Sequence, residues 1–181
     1  MSRVAKSPVV LPAGVSMQIK GQTVEVSNSK HTLTHTVHQD VVINQSEAGV
    51  HFSPVEGLDN WALAGTSRAL VANMVVGLSE GYTVVLELFG VGYRVKQEGQ
   101  KLVFNLGYSH PVEFVLPDMV TASIEKQLEL TLSSVDKHLL GQVSANIVRL
   151  RKPDAYKGKG VRTKKGLKRL VQLKLKEVKK K

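Results

Sequence analysis

"LAGTSRALVANM" (residues 63–74) and "LLGQVSANIVRL" (residues 139–150) fall on one another when the chain is slid along itself by 76 positions. Leu63 then meets Leu139, Gly65 meets Gly141, Ala69 meets Ala145, Val71 meets Ile147 and Met74 meets Leu150. In the second copy Leu139, Val143, Ile147 and Leu150 recur at steps of four, four and three, one face of an α-helix, so both segments are expected to be helical. Asp59 stands ahead of the first helix, and Ser133, Ser134 and Asp136 offer capping oxygens to the second. "GLSEGY" (77–82) closes the first with glycine. Glycine inside a helix costs about 1 kcal/mol relative to alanine. Its presence at the same turn of both copies predicts a shared packing need, a close approach of helix to sheet.

The same offset lays "QIK" (18–20) on "RVK" (94–96), and both "MQIKGQTVEV" (17–26) and "YRVKQEGQKLVFNL" (93–106) read as strand, glycine-containing turn, strand. Further strands are expected in "HTLTHTVHQDVVI" (31–43), "GVHFS" (49–53), "VEFVL" (112–116) and "LELTL" (128–132). Each half is thus several antiparallel strands followed by one helix. The expected class is α+β: two tandem duplicated domains, each an antiparallel β-sheet packed against one α-helix, plus a basic C-terminal extension. The expected divisions are 1–81, 82–152 and 153–181.

A chain of 181 residues with 42% hydrophobic content and a mean hydropathy of −0.07 can bury a core. No run of eighteen apolar residues is present, and "MSRVAKSPVVLPAG" lacks the pattern of a secretory signal, so a cytoplasmic location is expected. With no cysteine, disulfides, thiolate nucleophiles and Cys-type zinc sites are excluded. The net charge of +10 is unevenly spread. Residues 151–181 hold 14 of the 25 Lys and Arg against only Asp154 and Glu177, a net +12, while the rest of the chain is close to neutral. Clustered positive charge favours a polyanion, because neutralising it releases condensed counterions.

Motifs for catalysis are lacking. "FGVGYRV" (89–95) supplies Gly90 and Gly92 of a G-x-G-x-x-G pattern but has Val95 at the third place, with more strand instead of a helix N-terminus behind it. Its glycines read as a bulge or a close backbone approach. In "HTLTHTVH" (31–38), His31 and His35 share a strand face about 13 Å apart. His38 faces the other way, so the three read as surface or cross-strand groups and not as metal ligands. No G-x-S-x-G elbow occurs. The expectation is no enzyme, no cofactor, no metal and no small-molecule substrate.

The charged end is more informative. In "PDAYKGKGVR" (153–162), Lys157, Lys159 and Arg162 carry charge, Tyr156 can stack on a base or ribose, and Gly158 and Gly160 would let backbone N–H groups approach an anion. That combination suits RNA. Beyond it, "GLKRLVQLKLKEVKKK" (166–181) fits a helix through Leu167, Val171, Leu175 and Val178, or a strand through Val171, Leu173 and Leu175. As a basic amphipathic helix it could lie on RNA or an anionic membrane, but it contains no Trp or Phe to anchor it in lipid.

Taken in order, "MSRVAKSPVVLPAGV" (1–15), "AGTSRALVANMVVGLSEGY" (64–82), "GVGYRV" (90–95), "LGYSHPVEF" (106–114), "KHLLGQVSANI" (137–147) and "PDAYKGKGVR" (153–162) resemble the bacterial ribosomal protein L six family over nearly the full chain. The resemblance implies two domains of like fold and a structural role in the large ribosomal subunit. It further implies binding of large-subunit (23S) rRNA, chiefly through the C-terminal domain, beside neighbouring large-subunit proteins. The family's position is near the sarcin–ricin loop and stalk base, where translation GTPases dock, with no membrane partner. Carried onto this sequence, the rRNA contacts are Tyr156, Lys157, Gly158, Lys159, Gly160 and Arg162, with Arg94, Lys152 and His110 added. After Arg162 the chain departs from the family pattern, and Lys164, Lys165, Lys168 and Arg169 are assigned from charge alone.

Overall fold

The computed structural model describes residues 3–46, 49–55, 57 and 60–164. A first unit runs to Gly81 and takes in Val135–Lys137. After a single helical turn, α1 (Arg3–Lys6), strands β1 (Ser16–Lys20), β2 (Thr23–Ser27) and β3 (Thr32–Thr36) form an antiparallel sheet in that order. β4 (Val41–Ser46) and β5 (Gly49–Pro54) form a hairpin, and α2 (Trp61–Ser79) follows. Alternation fixes the inner faces: Val24 and Val26 of β2 and Val50 and Phe52 of β5 are buried while their strand neighbours are not. Ala64, Val71, Val75 and Leu78 of α2 close over them, with Ala5, Val9, Val37 and Val41 completing the core.

By length and composition α2 could cross a membrane, but its buried stripe is that of a core helix. Asp59 lies outside the described residues. Asn60 occupies the N-cap without a side-chain cap, its Nδ2 donating instead to Asp40 Oδ2 at 3.0 Å. Gly81, at φ +75°, ends the helix as its sequence predicts. The expected strand at 31–43 is two strands in different sheets. The chain turns between them where the Val41 amide donates to the His38 carbonyl at 3.1 Å and the Asp40 amide to His38 Nδ1 at 3.2 Å. His35 lies within β3 and His31 and His38 flank it; among the described residues no group of His and acidic side chains is arranged to hold a metal.

The second unit spans Tyr82–Ser134 and continues from His138. It holds β6 (Tyr82–Phe89), β7 (Arg94–Glu98), β8 (Lys101–Asn105), β9 (Val112–Val115), β10 (Val120–Glu125), β11 (Glu129–Ser134), most of α3 (Lys137–Leu150) and β12 (Gly160–Thr163). One antiparallel sheet has the order β7-β8-β9 and the other β10-β11-β6-β12. Leu86, Leu88, Val95, Leu102, Phe104, Leu130, Leu132 and Val161 meet Leu140, Val143 and Ile147 of α3 in its core.

The duplication is plain: β1-β2-β3 returns as β7-β8-β9, β4-β5 as β10-β11, and α2 as α3. In the hairpins, however, the offset is 78 and not 76, because Gly21 (φ +62°) and Gly99 (φ +63°) occupy the same turn and the buried pair Val24 and Val26 maps onto Leu102 and Phe104. Two residues is one full pleat, so the smaller offset still assigns the faces correctly. The shared helical glycine has no shared cause. Gly65 is buried, but Gly141 is exposed and a Cβ there would have nothing within 4 Å.

The units differ at one strand. In the first, "PVVLP" (8–12) makes a lone bridge, Val9 to Val50, with N···O distances of 2.9 and 3.0 Å, since Pro8 and Pro12 have no N–H to give. In the second, the corresponding β6 is a full strand in register with β11, Leu86 opposite Leu130, and its other edge is taken by β12. Residues 160–163, read from sequence as part of the contact loop and extension, are therefore an edge strand. Gly160 begins it at φ +145°, where a Cβ would stand 2.7 Å from the Lys152 carbonyl oxygen and 2.7 Å from Pro153 Cα.

Two glycine variants should shift stability in opposite directions in thermal or urea unfolding. Gly141→Ala is expected to stabilise by about 1 kcal/mol through helix propensity, and Gly160→Ala to destabilise by roughly 1–3 kcal/mol through backbone overlap and strain. A destabilised Gly141→Ala would restore a packing role for that residue.

Candidate nucleic-acid interface

Three segments of the second unit are tied together at the C-terminal end of α3. Between β6 and β7 the Tyr93 amide donates to the Gly90 carbonyl at 3.3 Å, with Gly92 at φ +78° in the turn. The Tyr93 ring is buried against glycine: a Cβ on Gly90 would lie 2.8 Å from it and one on Gly107 3.4 Å. Of the two readings of the glycines of "FGVGYRV", a bulge or a close approach, Gly90 fits the close approach, while Gly92 serves a turn that the sequence reading does not name. From the next segment the Tyr108 hydroxyl donates to the Leu150 carbonyl at 2.9 Å, satisfying one of the open acceptors at the end of α3. The Arg151 guanidinium lies 4.8 Å from the centre of the Tyr108 ring. Its pKa is held above the ordinary value, chiefly by a hydrogen bond with Tyr108 and then by Tyr93.

From Arg151 the chain enters a closed loop. The Val161 amide donates to the Arg151 carbonyl at 2.9 Å at the neck, and further out the Asp154 amide donates to Lys159 O and the Gly158 amide to Asp154 O, both at 2.9 Å. The Asp154 carboxylate turns back into the loop, accepting from the Tyr156 amide at 3.3 Å and the Lys157 amide at 3.2 Å. These bonds, the Lys157 amide first, hold its pKa below the ordinary carboxylate value.

That geometry changes the sequence-based assignment of the loop. The amides of Tyr156, Lys157 and Gly158 already have partners, and Gly158 (φ +67°) and Gly160 are buried, so the glycines shape the loop and do not bare its backbone to an anion. Lys152, Lys157 and Lys159 are exposed beside Tyr156, which is 79% exposed. Arg162 is turned to the sheet. Its Nε donates to Glu87 Oε2 at 3.1 Å, its guanidinium lies 4.5 Å from the centre of the Phe89 ring, and its side chain is 13% exposed. Lys164 lies 3.8 Å from Glu129, and its amide donates to Val85 O at 3.1 Å.

Arg94 is exposed at the start of β7, one residue past Tyr93, and His110 is exposed in the segment that Tyr108 anchors. Lys165, Lys168 and Arg169 lie outside the described residues, as does the choice between helix and strand for 166–181. Sequence reading passes over Arg151 and Tyr108; the available signal is a cation at a helix C-terminus and an aromatic residue in a Gly-containing loop. It also passes over the negative charge nearby. Glu125, Glu129 and Glu87 stand in cross-strand register with Arg162, and the three glutamates line a cavity of about 210 Å³ with Phe89 and Lys126. Carboxylates on this sheet face disfavour phosphate, whereas the 152–159 loop exposes Lys152, Lys157 and Lys159.

Known proteins agree with this architecture. The model of the family described as Ribosomal protein L6 matches residues 11–81 and 89–164, one segment in each unit. The chain is 50% identical over 162 residues to large ribosomal subunit protein uL6 of Chromohalobacter salexigens, covering 90% of this chain and 92% of that protein. It is 51% identical to the uL6 of Vibrio atlanticus and 53% identical to that of Shewanella denitrificans, each over 163 residues with the same coverage. With both repeats matched and half of all residues shared across almost the whole length, the chain belongs to the ribosomal protein L6 family.

Proposed function

We infer that this chain is a non-enzymatic structural constituent of the large ribosomal subunit, working in the cytoplasm among rRNA and neighbouring ribosomal proteins, and that it grips large-subunit rRNA through the 152–159 loop. The observation that carries the reading is a closed loop whose only carboxylate, though exposed, is engaged by the loop's own Tyr156 and Lys157 amides, while Lys152, Lys157, Lys159 and the ring of Tyr156 are exposed on it. Ammonium groups can neutralise successive phosphates, and an exposed phenol ring can stack on an unpaired base or a ribose. Arg94 and His110, exposed on the segments that Tyr93 and Tyr108 fix, are proposed as further contacts. The family resemblance supports the finer reading that this surface lies near the sarcin–ricin loop and the stalk base, where translation GTPases dock.

Loop and strand cations should separate experimentally. The double variant Lys157→Ala, Lys159→Ala is expected to keep its melting temperature and to weaken binding to a large-subunit rRNA fragment. The log–log salt slope should fall by about 0.7–0.9 for each phosphate that the protein no longer neutralises. Unchanged affinity and slope would remove the loop from the interface. Arg162→Ala, by contrast, should destabilise the free protein by roughly 1–3 kcal/mol, since a charge-assisted hydrogen bond and a cation–π interaction go together.

In a lysate the protein should sediment with large subunits at low salt and leave them after nuclease treatment. Flotation with acidic liposomes in nuclease-treated lysate would favour a membrane role instead.

A further inference from the structure

Asp154 is the only acid between Arg151 and Lys164, a segment with six lysines and arginines. A carboxylate amid phosphate-seeking cations works against binding if only charge is counted. Its hydrogen bonds give it another task. Between residues 154 and 159 there are four: two amides to its side chain, one amide to its carbonyl oxygen, and its own amide to Lys159. The two side-chain bonds fix Tyr156 and Lys157, the residue with the stacking ring and its charged neighbour. The neck bond from Val161 to Arg151 and the packing of Gly160 on Lys152 and Pro153 close the loop from the other side. The loop is therefore shaped without RNA, whereas a Gly- and Lys-rich sequence would otherwise order only on binding and give up affinity to that ordering.

We propose that Asp154 is a positioning residue: its carboxylate pre-forms the 154–159 loop so that Tyr156, Lys157 and Lys159 meet rRNA as a rigid unit. The proposal rests on the RNA-binding reading above. It makes Asp154 favourable to binding a polyanion despite its sign, because the order it supplies outweighs the repulsion it adds. The depressed pKa agrees, since the ionised form is the one the loop amides hold.

The sign of the effect is the test. The full chain and its Asp154→Ala and Asp154→Asn variants are titrated with a large-subunit rRNA fragment across salt, and amide hydrogen exchange at Tyr156 and Lys157 is followed by NMR in the free proteins. Asp154→Ala is expected to bind about tenfold more weakly with an unchanged salt slope, to exchange both amides rapidly, and to melt close to the wild type. Asp154→Asn, which keeps one acceptor oxygen, should recover part of the affinity and protection. Coulombic reasoning alone predicts tighter binding for both variants, and tighter or equal binding by Asp154→Ala overturns the proposal. Failure of the wild type to bind the fragment overturns the RNA reading and this proposal with it, and is told apart because the exchange data still report whether Asp154 orders the loop.

Discussion

Strand β6 hydrogen-bonds along both edges, and the character of the second unit depends on the second of them. One edge meets β11, as the Val9–Val50 bridge meets β5 in the first unit. The other edge receives β12, through Gly160 opposite Phe89 and Arg162 opposite Glu87. Without that pairing the chain after α3 would have no point of return and the loop no neck. The first unit has prolines where the equivalent strand would run, so it offers no such edge. A difference of a few residues ahead of the first hairpin of each repeat thus decides which copy can carry a loop closed like that at 152–159.

The same pairing sorts the positive charge. Arg162 and Lys164 belong to the sheet, balanced by Glu87 and Glu129 across neighbouring strands. Glu87 and Glu129 are themselves directly opposite, an arrangement that repels unless cations flank it. Arg162 and Lys164 supply those cations, and Phe89 adds a ring beneath the guanidinium. Lys152, Lys157 and Lys159 stay outside this network. A cluster that looks uniform in sequence is two populations, one that holds a strand in place and one held out toward solvent.

What can be read from sequence is local. The helix at 137–150 announces itself by periodicity, the one at 61–79 by its match to that copy, and the two glycine-turned hairpins by alternation, because each signal needs only a dozen contiguous residues. β12 cannot be read so. It is four residues long, contains a glycine and an arginine that suit a loop, and finds its partner some seventy-five residues earlier. The site is half legible for the same reason. Residue types mark 153–162 as a candidate for contact with an anion, but whether a glycine amide faces outward or is spent on Asp154 depends on how the loop closes. Gly141 shows the opposite failure: a repeated letter suggests a repeated packing role, and the second copy has open space.

The order in which the chain leaves a ribosome gives the β6–β12 pairing one more consequence. β6 is synthesised long before the residues that cover its outer edge, so a nascent second unit carries an open strand with Leu86 and Leu88 awaiting Val161. Such an edge invites pairing with other chains until β12 docks. Docking of β12 closes that hazard and builds the loop neck in a single event. The closed form of the 152–159 loop, on which the proposed rRNA contact depends, is therefore reached only after β12 has docked on β6.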